Sequence, residues 1–261
     1  MKPRLTLQSI EVSKGCTCGF APAVLTSTLG IHMFRKILAL LGIRSALASP
    51  AQGAVAPTPY KAPEVNFIYN LLFCDDLALF KPKDSSDLAY WQTVFFGPKQ
   101  DAETIRKIAE DQGEESRIRV LAYNWLRANK LSVPPRQLLG VIVEVPLEGG
   151  LDVIAAYPDG RVRYINQTGK LAVFEGGPAE VEQQAKALVS SALPAVDRIG
   201  PWDKKRLPPP KKGNVRMTFL VSDGLYFGEG PFGQMQREPM AAPIIQNAGE
   251  LLQLVVNAAT K

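Results

Sequence analysis

The sequence predicts an α+β protein: an N-terminal helical layer followed by an antiparallel sheet, laid out as a β-meander, a helix, a strand pair and a C-terminal helix. Three observations carry this. Up to Pro134-Pro135 apolar residues recur at three- and four-residue steps. Beyond that pair, short β-rich runs alternate with glycine turns. Helical stripes then return before and after a last pair of apolar runs. On this reading residues 1–62 are a leader and 63–261 one α+β domain, with a helical part at 63–130 and a sheet part at 137–261.

The leader ends in ALASPAQGAVAPTPYKAP, an Ala/Pro-rich run that cannot build a packed core and is expected to be disordered. Within it, MFRKILALLGIRSALAS has a second methionine (Met33), two basic residues, an apolar run from Ile37 to Ile43 and an A-L-A triplet at Ala46–Ala48. That is the order of a signal peptide, although Arg44 cuts the apolar run short. A membrane-surface helix with Arg35, Lys36 and Arg44 toward anionic lipid, and a plain tail, are the alternatives. With them the compartment stays open: cytoplasmic, or exported or membrane-surface if 33–48 acts as a signal or amphipathic helix. No run of eighteen apolar residues exists, so no transmembrane helix is expected.

From Val65, NFIYNLLFCDDLALF is apolar nearly all round and reads as a buried helix stopped near Pro82, though so short a run does not exclude a strand. Asp84 or Ser85 can cap a second helix whose Leu88, Trp91, Val94 and Phe95 lead to Gly97-Pro98. A third spans about 101–111, with Ile105 and Ile108 inward. The fourth, about 114–129, has the clearest stripe: Ile118, Leu121, Ala122, Trp125 and Leu126. Its other face, with Glu114, Glu115, Arg117, Arg119 and Arg127, reads as a solvated charged face.

GVIVEVPL, LDVIAAYP, RVRYIN and KLAVFEG, separated by EGG, DG and QTG, then read as a meander. In the third, Arg161 and Arg163 alternate with Val162 and Tyr164, as in a half-exposed strand. PAEVEQQAKALVSSAL is a helix opened by Pro178. VRMTFLVS and LYFGEG can pair across Asp223-Gly224, and PIIQNAGELLQLVVNAAT closes the chain as a core-facing helix.

Charge and chemistry exclude more than they identify. Residues 1–62 hold seven basic residues (Lys2, Arg4, Lys14, Arg35, Lys36, Arg44, Lys61) and one acid, Glu11, a net of +6; the whole chain carries +5, leaving −1 for 63–261. A near-neutral body has no general attraction for phosphate backbones, so no nucleic-acid partner is expected. The only histidine is His32, in the leader, so triads, Cys-His nucleophiles and histidine metal clusters each lack a member in the body. Cys16 and Cys18 have no further ligands nearby, Cys74 sits alone in an apolar run, and neither a metal nor a cofactor is expected.

Carboxylates remain as candidates for acid–base work: Asp75 and Asp76, Asp159, Asp223 and Glu229. Asp75 and Asp76 read best as one exposed acid and one paired with an arginine or a helix end. Asp159 and Asp223 precede glycine, as turn residues do.

Two segments stand out. PWDKKRLPPPKKG places Lys204, Lys205 and Arg206 before Pro208–Pro210, and Lys211 and Lys212 after it. An extended proline run would hold the two basic groups apart, either to dock an acidic protein surface or as a plain crossover loop. The second, GEGPFG at 228–233, matches the G-x-G-x-x-G of phosphate loops. Pro239 and Pro243 interrupt the helix such a loop must open, and no strand follows, so the nucleotide reading fails. What remains is a Gly-rich loop with unusual backbone angles, flanked by Tyr226, Phe227 and Phe232, which face either the core or a partner.

Taken together, the expectation is a non-enzymatic interaction or accessory protein of bacterial type. Its partner-binding residues would be Lys204, Lys205, Arg206, Lys211, Lys212, Tyr226, Phe227 and Phe232. The alternative is a histidine-independent enzyme or small-molecule binder with a pocket lined by Asp223, Glu229 and Tyr226.

Overall fold

The computed structural model describes residues 56–82 and 88–259. Four helices lead: α1 (Pro63–Leu71), α2 (Tyr90–Phe96), α3 (Ala102–Glu110) and α4 (Ser116–Ala128). The meander follows as β1 (Leu138–Leu147), β2 (Gly150–Ala156), β3 (Val162–Ile165) and β4 (Leu171–Phe174). Then come α5 (Ala179–Ser191), α6 (Leu193–Arg198), β5 (Asn214–Val221), β6 (Gly224–Pro231), α7 (Phe232–Met235) and α8 (Ala242–Ala259). The six strands form one antiparallel sheet in the order β4-β3-β2-β1-β5-β6. The α+β class and the N-terminal helical layer are as the sequence pattern implied.

The sheet is covered on both faces. Ile142, Val153, Ala155, Ile165 and Leu220 join α1–α4 in one core, while Val141, Val143, Ile154, Val215 and Phe219 join α5, α6 and α8 in another. This is why GVIVEV in β1 is apolar without alternation: both sides of a central strand are inside. A register shift between Leu138 and Gly140 lets Leu139 and Ile142 serve one face and Leu138 and Val141 the other.

Several local expectations change. The first helix stops at Leu71, because Cys74 adopts φ 51 and turns the chain, and only a 3-10 turn, Leu77–Phe80, follows. Asp75 and Asp76 are therefore in an irregular connection, where Asp76 accepts from the Ala78 amide and Asp75 pairs with Arg206. The capping residues expected for α2, Asp84 and Ser85, lie outside the described residues, as does the leader up to residue 55. Tyr60, assigned from sequence to the leader, is buried in the first core and donates its hydroxyl to the Leu151 carbonyl.

The charged face of α4 is not solvated. Arg117 and Arg119 are buried, because α4 lies inside the helical layer and its long side chains carry their heads out to partners. Arg117 pairs with Glu115. Arg119 donates Nε to the Ala109 carbonyl near the C-terminus of α3, where the helix dipole favours a cation. Arg163 in β3 is buried as well, donating to the Phe174 carbonyl and pairing with Glu175. Asp159 caps α4 from the β2–β3 turn by accepting the Ser116 amide at 2.8 Å.

The GEGPFG stretch is strand and helix, not loop. Residues 228–231 complete β6 and Phe232 opens α7. Gly228 and Gly230 alternate onto one face, where Met235 packs; a Cβ on Gly230 would lie 2.8 Å from the Met235 sulfur. The G-x-G spacing is thus the period of a strand. None of Gly228, Gly230 and Gly233 has a positive φ.

Candidate functional site

β6 is an edge strand, and the helical layer meets the half of the sheet that it forms with β5 at Leu220 and the β5–β6 turn. The 199–213 segment covers that half. It meets β6 through a bridge from Trp202 to Leu225, with the Trp202 amide donating to the Leu225 carbonyl at 2.8 Å. The Trp202 ring packs edge-on to Phe227 at 5.1 Å. From there the segment crosses the sheet and is pinned by Arg206. Its Nε donates to Asp75 at 2.8 Å, its Nη2 to Asn70 at 2.6 Å, and its guanidinium lies 3.8 Å from the centre of the Phe73 ring. A planar cation bonded through Nε and Nη2 and stacked on its face holds the segment against α1.

The return crossing is pinned from below. Arg216 of β5 donates to the Pro208 carbonyl at 2.6 Å and grips one Glu229 oxygen, Oε2, with both Nε and Nη2 at 2.9 and 2.6 Å. Behind it lies Glu144, fully buried, accepting the Tyr69 hydroxyl at 2.6 Å. Its second oxygen is 3.9 Å from Arg216, within ion-pair range but beyond a hydrogen bond. Burial pushes the Glu144 carboxyl up, against the pull of Tyr69 and Arg216. Burial would raise Glu229 too, but the bonds from Asn214 and Arg216 outweigh it and hold that carboxyl low.

Beside the Arg206 pin opens a cleft of about 380 Å³. One stripe of α4 (Val120, Asn124, Arg127, Ala128) forms a wall, Phe73 and Asp75 another, and the β5–β6 turn with Leu220, Gly224 and Leu225 the floor. Asn124 ties it together, donating to the Cys74 carbonyl at 2.6 Å and accepting from Arg127. Arg127 also donates to the Asp223 backbone carbonyl at 3.2 Å. Gly224 leaves room there, since a Cβ would come within 2.7 Å of Pro201 and 3.5 Å of Arg127.

The residues singled out from sequence divide by place. Lys204, Lys205, Lys211 and Lys212 are exposed, with Lys204 5.5 Å over the Trp202 ring. Arg206 is engaged as described. Tyr226 is buried on the far face of the sheet, its hydroxyl donating to Asp223 at 3.0 Å. Phe227 and Phe232 are half-buried, Phe232 against the second core. Asp223 and Tyr226 are hydrogen-bonded to each other, and Glu229 lies apart from both. Asp223 sits in the turn before β6, whereas Glu229 pairs with Arg216, six residues or about 20 Å along the strand.

Sequence reasoning missed Arg127, Asn124 and Arg216 as site residues. Arg127 reads as surface because α4 looks like a two-sided helix, and nothing local shows that a turn about a hundred residues later closes over it. Among the described residues no cluster of three or more His, Cys, Asp or Glu could hold a metal ion, and no helix is long and apolar enough to cross a membrane. No protein-family model matches the chain, and a search of the curated proteins finds no match.

Proposed function

We propose that this chain is a non-enzymatic interaction or accessory protein of bacterial type, whose partner lays an extended acidic segment along the edge of β6. The observation that carries the reading is the arrangement of the exposed lysines. Lys204 and Lys205 follow the bridge at Leu225, Lys211 and Lys212 precede Asn214, which pairs with Pro231, and so the two pairs flank the length of the edge. Between them the Phe227 and Glu229 positions alternate in phase with Leu225, whose carbonyl already accepts from outside the sheet. Strand addition supplies backbone hydrogen bonds, and the lysine pairs select for acid. With the body near neutral, this attraction is a local patch and not a general field.

Within this reading Arg206 and Tyr226 act from inside: Arg206 holds the segment and Tyr226 the turn. The contact residues are the four lysines, Phe227 and the aromatic border at Trp202 and Phe232. The protein then works in the cytoplasm; secretion or membrane-surface contact would come from residues 33–48, which lie outside the described residues. The mass of the mature N-terminus distinguishes these.

The test is to replace Lys204, Lys205, Lys211 and Lys212 by Gln, leaving Arg206, and to compare partners captured by the two proteins at low and moderate salt. Captured partners should be lost from the variant and should fall away from the wild type as salt rises. Slowed amide exchange at Phe227 and Glu229 on binding locates the contact. An unchanged partner set at both salts sinks the docking reading.

A further inference from the structure

We propose that the cleft between α4 and the β5–β6 turn binds a small carboxylate with an apolar body. The cation is Arg127. Of the five N–H donors of a guanidinium, it spends two, on the Asn124 side chain and the Asp223 backbone carbonyl, both neutral acceptors. Its Nε is buried without a partner. The Asp223 carboxylate is taken up by Tyr226 and makes no ion pair with it.

Arg119, Arg163 and Arg206 also each keep one buried nitrogen without a partner, so what sets Arg127 apart is the charge and not the orphaned N–H. Arg117, Arg163, Arg206 and Arg216 each pair with a carboxylate, and Arg119 lies on the closing carbonyls of α3. Arg127 makes no ion pair: it has the dipole of its own helix, in whose last turn it sits, and the longer-range field of the Asp223 carboxylate, which together do not offset its burial. Asp75, the one acid lining the cleft, is engaged by Arg206 and so leaves Arg127 without a carboxylate partner in the lining. Burial pushes the Arg127 guanidinium down from its ordinary value, as expected of a cation kept from water.

The remaining walls set the rest of the ligand. Phe73, Val120, Leu220 and Leu225 are apolar and continuous with the first core, and the volume suits a compact organic acid. A carboxylate entering over them meets Arg127 in the cleft wall, where a charge-assisted hydrogen bond is the strongest contact the lining offers.

The experiment uses sodium hexanoate as the probe, with hexanol and sodium chloride as controls, on the full chain labelled at its methyl groups. Hexanoate is expected to give saturable shifts at Val120, Leu220 and Leu225, with affinity at least tenfold above that of hexanol. Arg127→Gln should bring hexanoate to the level of hexanol while the hexanol shifts persist, which shows that the cleft has kept its shape. Ala128→Trp, at the exposed rim, should block both probes without entering the core. The proposal is overturned if sodium hexanoate gives no saturable shift at these methyls, if hexanol binds the wild type as well as hexanoate does, or if either variant leaves hexanoate binding unchanged.

Discussion

Asp152 shows how one residue ties pH to stability. It is buried on the second face of β2, accepting the Gln167 amide at 2.6 Å and the Tyr164 hydroxyl at 3.2 Å. Burial pushes its carboxyl up from 3.8 to about 6, because two neutral donors do not repay a carboxylate's lost hydration. The unfolded chain releases this proton near its ordinary value and the folded chain only near 6. Folding is therefore favoured by the protonated form, and this contribution is lost as pH rises through that interval. Asp152→Asn keeps the shape: its Oδ1 still accepts the Gln167 amide, and its Nδ2 donates to the Tyr164 oxygen where Asp152 accepts from it. We expect the difference in unfolding free energy between wild type and variant to move by up to roughly 3 kcal/mol in the variant's favour from pH 4 to pH 7. Denaturant titrations at the two pH values would measure it. Asp159, held low by amide and arginine partners despite burial, slopes the other way in both proteins and cancels in the comparison. At the same scale, Arg206→Ala strips Asp75 of its partner and Phe73 of its stacked cation. A loss of about 2 kcal/mol and faster proteolysis between 203 and 212 are expected. An unchanged cutting rate would mean that Arg206 does not pin the segment.

At the scale of elements, glycines separate what composition reveals from what packing imposes. Gly149, in the β1–β2 turn, and Gly150, the first residue of β2, look alike in the text EGG. Gly149 has φ 88 and open space around its missing Cβ, whereas a Cβ on Gly150 would lie 2.0 Å from the Gln167 carbonyl oxygen. Ala at 149 should cost about 1 kcal/mol through its backbone angle alone. Ala at 150 forces the QTG turn away and should cost about 3 kcal/mol or more, a contrast that thermal unfolding can read directly. The same reasoning explains GEGPFG, whose Gly230 meets only the flexible Met235 and should accept Ala for less than about 1 kcal/mol. Most elements were legible because their periods are strong: the stripes of α4, α5 and α8 and the turns of the meander. The break at Cys74 was not, since no glycine or proline marks it. That turn is held from outside, by the Asn124 amide on the Cys74 carbonyl.

For the whole molecule, the sheet is the shared wall of two cores. Ile142 and Val143 are neighbours in β1 yet belong to opposite cores. Because one strand carries both, Ile142→Ala and Val143→Ala should each lower a single cooperative unfolding transition, by about 2–5 kcal/mol for the isoleucine and less for the valine. Two resolved transitions in calorimetry would contradict this. By itself, the sequence determined the fold class, the order of nearly every element and the exclusion of histidine-based chemistry in the body. Those follow from local periodicity, turn residues and composition, which neighbours along the chain suffice to express. Only the tertiary structure decided which charges are inside, that the basic-proline segment is clamped over β5 and β6, and that Arg127 faces a cleft. Each of those depends on residues far apart in the chain, as when Arg206 meets Asp75 across 131 positions. An arginine's pattern in sequence is the same whether water or a carboxylate waits at its end.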